Sequence, residues 1–504
     1  MEQIQALEQA HLRAYAHVVA LDRESSYASS WHGSGQIPAR AVEQGLVSRF
    51  GSLDPDEGGA TARHQLFVQY KIRPTDSSEL KALAYIGTYR FNLYSNFTLA
   101  LRDPTNGDEI GQVDRRSFYG GRASYRIMHE SHGVRFDTTI GGDARNDDIH
   151  GELNNTTSRV VTSTVRSTNV HETFVGAFVN ETISPARFVR LDLGGRADFL
   201  SYSVDDLTGS ATAPLGGADG AQQFSPKTSL VVTPVDRAGT TLDLYASYGH
   251  GFHSNDVRGA FASPRVTPLT RARGEEVGAR TRLFDRWNVA AAAFMLDLDS
   301  EAVWSGDEGT TEVGAATRRR GIELDTRYEI FPWLIADLDL TFTEARFRDD
   351  PGTGAGLALA PKQTWAGGLS ARHDLGPGAV RGGLRFYGVG DRPATDDGAL
   401  TAPGFTQVDL HLGYRHRRFD VAFDVENLLN GAFRSAQFAT TGRLPNEPAV
   451  GAALPAGFGC GSSGRLAPAP DGSAANGRFY GCEDMHTTPA YPLTARVMGT
   501  VFLD

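Results

Sequence analysis

Polar and apolar residues alternate along this chain with a period of two, the signature of a strand with one buried face. Between Thr406 and Arg415 the even positions are Val408, Leu410, Leu412 and Tyr414, while the odd ones include Gln407, Asp409, His411 and Arg415. Ala336–Thr343 sets Leu338, Leu340 and Phe342 against Asp337, Asp339 and Thr341. Phe419–Glu426 sets Phe419, Val421, Phe423 and Val425 against Asp420, Asp424 and Glu426. Successive side chains of a strand point to opposite faces, so each segment has one greasy face and one charged face. Amphipathic helices are nearly absent. The alternation predicts about 18 strands, centred near residues 16, 67, 90, 122, 137, 175, 192, 230, 245, 278, 293, 323, 339, 368, 384, 410, 423 and 497.

The connections between these segments alternate in length. Short links are predicted at 73–78, 129–133, 184–186, 236–239, 284–286, 331–332, 375–378 and 416–418. Between them lie long loops rich in Gly, Asp, Pro and Thr, around 24–61, 102–116, 143–160, 205–223, 253–273, 299–317, 348–361, 390–404 and 431–489. A soluble sandwich has no reason to collect its long loops at one end. An outer-membrane barrel does, because its periplasmic turns are short and its extracellular loops long. Closure also removes the unpaired edges that so much strand would expose. Asp and Arg on successive inner faces suit a wide, wet lumen. Aromatic residues near strand ends (Tyr89, Phe91, Tyr94, Trp287, Trp333, Trp365, Tyr387, Tyr414) fit interfacial girdles. The predicted fold class is all-β, an antiparallel transmembrane β-barrel spanning residues 1–504.

Composition narrows the function classes. The 504 residues carry a formal charge of −11, and Gly accounts for 57 of them. No basic stripe is available to neutralise phosphates, so no nucleic-acid partner is expected. Two cysteines exclude a disulfide-dense scaffold and a Cys-rich metal protein. No run approaches 18 consecutive apolar residues, which excludes a membrane-spanning helix and leaves a β membrane protein open. Met1-Glu-Gln-Ile-Gln-Ala-Leu-Glu8 lacks the basic and apolar regions of a signal peptide. No Gly-rich phosphate loop precedes a helix and no Ser/His/Asp grouping stands out, so neither an enzyme nor a cofactor is expected.

Several segments resemble TonB-dependent outer-membrane receptors. Leu244-Tyr-Ala-Ser-Tyr-Gly-His-Gly-Phe-His-Ser-Asn-Asp256 resembles the family's aromatic strand ending in a Gly–aromatic pair at the extracellular rim. Arg320-Gly-Ile-Glu-Leu324 is similar to its RGxE strand, and Asp424-Val-Glu-Asn-Leu-Leu-Asn430 to its VxNLxD/N segment. Phe224-Ser-Pro-Lys-Thr-Ser229 and Leu359-Ala-Pro-Lys-Gln-Thr364 are similar to its sPK strand starts. The likeness covers about residues 60–504. It implies a monomeric receptor in the bacterial outer membrane, in contact with the lipid bilayer and lipopolysaccharide. Its function would be energised uptake of a scarce, bulky ligand: an iron–siderophore, cobalamin or oligosaccharide. A complete member has a signal peptide, a TonB box, a plug domain and 22 strands. Here the expectation is a form lacking the plug and about four strands, with the TonB complex a partner only if a plug is present. The last strand departs as well, ending on Asp504 with its aromatic at Phe502. A plugless passive pore, a non-functional receptor fragment and a soluble propeller or solenoid stay open as alternatives.

In that setting Cys460 and Cys482, both in the long extracellular loop 431–489, are expected to form a disulfide. Closing such a loop is worth roughly 3 kcal/mol. Trp31, Trp304 and Phe433 are the loop aromatics expected to contact ligand, since flat amphipathic rings suit chelates and sugars. The run Arg318-Arg319-Arg320 sits where a strand leaves a loop and could meet lipopolysaccharide phosphates or only solvate the strand end. His250 and His253 are an odd number of residues apart, so no metal site is expected there.

Overall fold

The structure, a computed structural model, describes residues 36–208, 216–305, 310–348 and 356–502. It is dominated by one antiparallel sheet of seventeen strands rolled into a barrel. The first eight are Gly58–Thr75 (β1), Ser78–Ser95 (β2), Ile110–Ser131 (β3), Val134–Thr157 (β4), Val160–Ala186 (β5), Val189–Asp206 (β6), Gly217–Arg237 (β7) and Thr240–Ser254 (β8). Then follow Leu269–Leu283 (β9), Trp287–Leu298 (β10), Thr317–Phe331 (β11), Leu334–Phe347 (β12), Gln363–Leu375 (β13) and Gly378–Val389 (β14). Phe405–His416 (β15), Phe419–Glu426 (β16) and Thr494–Val501 (β17) complete the wall. Each strand pairs with its neighbour in sequence, as in an up-and-down meander. Seventeen of the expected centres fall in these strands, and the one near residue 16 lies outside the described residues. Among the described residues β1 and β17 each carry a ladder on one side only. An odd number of alternating strands leaves those two running in the same direction.

The two faces separate as the alternation requires. Ile322, Phe342, Val277, Leu412 and Val421 are 45–57% exposed on the outside. On the same strands Glu323, Asp337, Glu276, His411 and Asp420 have the opposite parity and point inward. The inner face is cross-linked by charge: Arg196 reaches Asp143 at 2.7 Å and Asp198 at 2.6 Å, Arg381 reaches Asp420 at 2.6 Å, and Arg385 reaches Asp337 at 2.5 Å. Such an inside-out arrangement satisfies a lipid surround and a wet lumen together.

The short links are tight turns. His132-Gly133 and Phe284-Asp285 both take left-handed backbone conformations, as two-residue hairpin turns favour. Trp287, Tyr328, Phe331 and Trp333 stand exposed at this end, with Phe331 stacked on Trp333 at 5.5 Å. They form the expected girdle. Tyr89 and Phe91 do not join one. Ile86 of the same strand faces out, so these odd-numbered rings face the lumen, where they stack on each other at 6.2 Å.

The expected loop 143–160 is also corrected. β4 and β5 pair almost without a break to a turn at Ser158-Arg159. Here polar residues occupy buried positions too, Asn154 and Thr156 beside Leu153, so the hydrophobic alternation fades and Gly-Glu-Leu-Asn-Asn-Thr-Thr157 reads as loop although it is strand.

Candidate functional site

The buried apolar residues collect at the long-loop end rather than inside the wall. Val170, Leu200, Tyr202 and Val204, from the upper parts of β5 and β6, pack with Val257 and Ala260 of a short 3-10 turn. A second core joins Ala39, Ala394, Leu400, Ala402 and Met485. The segment 431–489 is therefore no irregular loop. Arg434–Gly442 and Gly464–Leu466 both pair with Cys482–Pro489, and Ile37–Pro38 adds a fourth strand. This small sheet forms a cap at the long-loop end, packed against Leu99 of the β2–β3 loop and against Ala394, Leu400 and Ala402 of the β14–β15 loop.

One side chain holds the cap together. Arg40 sits in the short helix Ala39–Glu43, fully buried. Its guanidinium donates to Glu447 at 2.8 Å, to Asp484 at 2.7 Å and to the Gly442 carbonyl at 3.0 Å. These contacts join the segment before β1 to the loop before β17, some 400 residues away. Burying a charge is costly unless it is paired and hydrogen-bonded, and here every partner is present. His486, fully buried beside Asp484, has its imidazole pushed down to about 3 by burial and by the Arg40 charge. Nothing in the sequence singled out Arg40, because its partners lie on distant segments.

Cys460 and Cys482 are joined, with their Cα atoms 5.5 Å apart, and pack against Phe479. Phe433 stacks face to face on Phe405 at 4.5 Å, half-buried where β15 meets the cap. Trp31 lies outside the described residues. Trp304 lies on a hairpin, Ala302–Ser305 with Thr310–Val313, and its side chain is likewise outside the described set. The structure thus gives the surroundings of one of the three candidate aromatics. The arginine run splits by parity: Arg318 and Arg320 face outward, to Asp297 and Glu344 at 2.6 Å, while Arg319 reaches Glu301 at 2.6 Å. His250 bonds the Tyr248 hydroxyl at 2.7 Å, a partner on its own strand and not His253.

Two of the motif segments have clear local roles. Asn427 adopts a left-handed conformation after β16, and its side chain bonds Gly431 and the Tyr491 carbonyl at 2.9 and 3.0 Å. It fastens the wall to both ends of the cap segment. At Gly321 an added Cβ would meet the Phe342 carbonyl oxygen at 2.3 Å and the Phe294 ring at 2.8 Å, so only glycine fits between them.

Within the wall, strands β5–β11 line a cavity of about 860 Å³ that includes Asp192, Lys227, Ser229, Ser247, Glu276 and Glu323. Its acids outnumber its bases. A wet, acidic chamber of this size can hold a large polar ligand.

The profile of the family described as TonB dependent receptor-like, beta-barrel matches residues 17–428, more than half of the chain. The chain belongs to the TonB-dependent receptors. Solved structures agree on the fold of this receptor barrel. A ferric citrate transporter, FecA, in its unliganded form, superposes with a TM-score of 0.65 at 14% identity, over 80% of this chain and 62% of that one. The ferric yersiniabactin uptake receptor FyuA of Yersinia pestis gives 0.62 at 13% identity, over 89% and 63%. The copper transporter OprC gives 0.58 at 19% identity, over 75% and 61%. The chain spans about three-fifths of the length of these structures. The family is one of outer-membrane receptors and transporters, not of enzymes.

Proposed function

We propose that this barrel serves energised uptake of a scarce, bulky ligand (an iron–siderophore, cobalamin or an oligosaccharide) across the bacterial outer membrane. The observation that carries this reading is the polar-lined barrel whose long-loop end bears a folded, charge-pinned cap. A general diffusion pore gains nothing from a roof that costs a buried arginine; a capture site gains a fixed surface. Ligand would be caught at the cap and rim, where Trp31 and Trp304 are the ring contacts and Phe433 shapes the edge, then passed to the chamber below. The pulling step belongs to a plug and the TonB complex, whereas the described residues form wall, rim and cap. The receptor would sit as a monomer in the bilayer, its outward Arg318 and Arg320 near lipopolysaccharide phosphates.

The test is equilibrium binding of ferric siderophores, cobalamin and oligosaccharides to the purified protein in detergent, followed by tryptophan fluorescence and paired with planar-bilayer conductance. Saturable binding of one ligand class with a closed or flickering channel is the expected result. No binding of any class together with a steady open conductance would overturn the reading in favour of a passive pore.

A further inference from the structure

The turn between β9 and β10 carries a residue that its backbone does not suit. Phe284 and Asp285 are its central residues, and the Arg286 N–H closes it on the Leu283 carbonyl at 3.1 Å. Phe284 has a φ of 54° and Asp285 a φ of 59°. Asn, Asp and Gly take such left-handed angles readily and dominate these turns. A bulky side chain there is an outlier that costs free energy. Burial within the protein does not offset that cost, since Phe284 stays 77% exposed. A strained, exposed ring at the edge of the girdle points to something outside the chain that covers it.

The neighbouring surface supplies a shape. Leu283, Trp287, Thr326, Tyr328, Ala336 and Leu338 line a groove of about 750 Å³ beside Phe284. Leu283, Tyr328 and Leu338 share the parity of Val277, Ile322 and Phe342, so the groove lies on the outer face of β9–β12. Trp287 pairs directly with Leu283 and with Tyr328. Its floor is fixed in place: the Trp287 indole N–H donates to the Thr326 hydroxyl at 2.8 Å, and its ring meets Tyr328 edge-on at 6.0 Å. Ligand-binding clefts have volumes of this order.

Charge selects the occupant. Arg286 lines the same groove, and among the described residues no carboxylate pairs with its guanidinium. Asp337 borders the groove too, but its carboxylate is held by Arg385 on the lumen side at 2.6 Å. Asp285 is taken by Arg282 at 3.1 Å. One cation is therefore left at the mouth of an apolar groove, at the end where the short turns meet the headgroup layer. A phosphodiester answers that cation by charge-assisted hydrogen bonds, and an acyl chain answers the groove. A zwitterionic headgroup would bring an ammonium as well, for which the groove lining holds no free acid.

We propose that this groove binds one anionic phospholipid of the periplasmic leaflet, its phosphate on Arg286 and an acyl chain along Leu283, Trp287 and Leu338 against the Phe284 ring. Lipopolysaccharide is not the occupant, because it belongs to the leaflet at the long-loop end. The inference goes beyond the uptake reading and needs only the membrane orientation of the barrel.

The experiment is native mass spectrometry of the full chain, folded and delipidated in detergent. The probes are dipalmitoyl phosphatidylglycerol and, separately, phosphatidylethanolamine and diacylglycerol with the same chains. One saturable phosphatidylglycerol per chain is expected, with the other two lipids at least about fivefold weaker. Arg286→Gln should weaken phosphatidylglycerol at least about tenfold while heat-modifiable gel migration is retained. Phe284→Asn relieves the turn and removes the ring. It should raise the thermal unfolding midpoint in detergent and yet weaken phosphatidylglycerol about tenfold. A girdle of anchoring rings alone gives no saturable adduct and no headgroup preference, and either result would overturn the proposal. So would wild-type affinity in Arg286→Gln, or a lowered midpoint in Phe284→Asn, which would show that the ring packs for the fold.

Discussion

At the scale of single residues, the rim is organised by buried charge. Arg40 has no sequence signature, since its partners Glu447 and Asp484 become neighbours only when the cap folds. Arg40→Ala leaves two buried carboxylates without their cation and should destabilise the cap by about 3–5 kcal/mol. Hydrogen exchange of residues 431–489 should rise while the amides of β4 and β5 stay protected. A second prediction concerns pH. The Glu57 carboxyl is raised to about 7 in the folded rim, from 4.5. A raised folded pKa gives stability that is complete below the unfolded value and is lost as pH climbs through the folded one. Rim stability should fall between about pH 4.5 and 7, by up to about 3.4 kcal/mol. Glu57→Gln should flatten that slope in thermal melts recorded at several pH values.

At the scale of elements, the wall was legible and the cap was not. Leu338-Asp339-Leu340 and Val421-Ala-Phe-Asp424 carry the period-two pattern because lipid meets one face and water the other, and that division alone marks them as strands. Gly151–Thr157 lost the pattern because buried positions there are filled by polar residues such as Asn154 and Thr156, so a hairpin read as a loop. Segment 431–489 was opaque for another reason: its strands pair with Ile37–Pro38 and are held by contacts far apart in sequence. Its disulfide closes a span of 22 residues. Reduction should cost the cap roughly 3 kcal/mol and speed proteolysis within 431–489, leaving the wall intact. On the wall itself, Phe342→Arg puts a charge on the lipid face and should cost about 2–4 kcal/mol in urea unfolding from vesicles if it lies near the midplane. The same substitution at its lumen-facing neighbour Thr341 should cost far less.

At the scale of the whole molecule, the family resemblance and the alternation point the same way for one reason. A barrel with apolar residues outside and ion pairs inside is stable only when lipid surrounds it and polar contents fill it. Cargo is written in rim and cap contacts rather than in the wall, so the wall motifs identify the family and stay silent on the ligand. The central claim, that the exposed apolar face meets lipid and the charged face meets water, is tested most directly at two adjacent residues. Ile322→Cys and Glu323→Cys would each carry a fluorescent label in protein folded into vesicles, with Cys460–Cys482 left oxidised. The account predicts quenching of the label at 322 by brominated lipid and at 323 by aqueous iodide. The same quencher acting equally on both labels would contradict it.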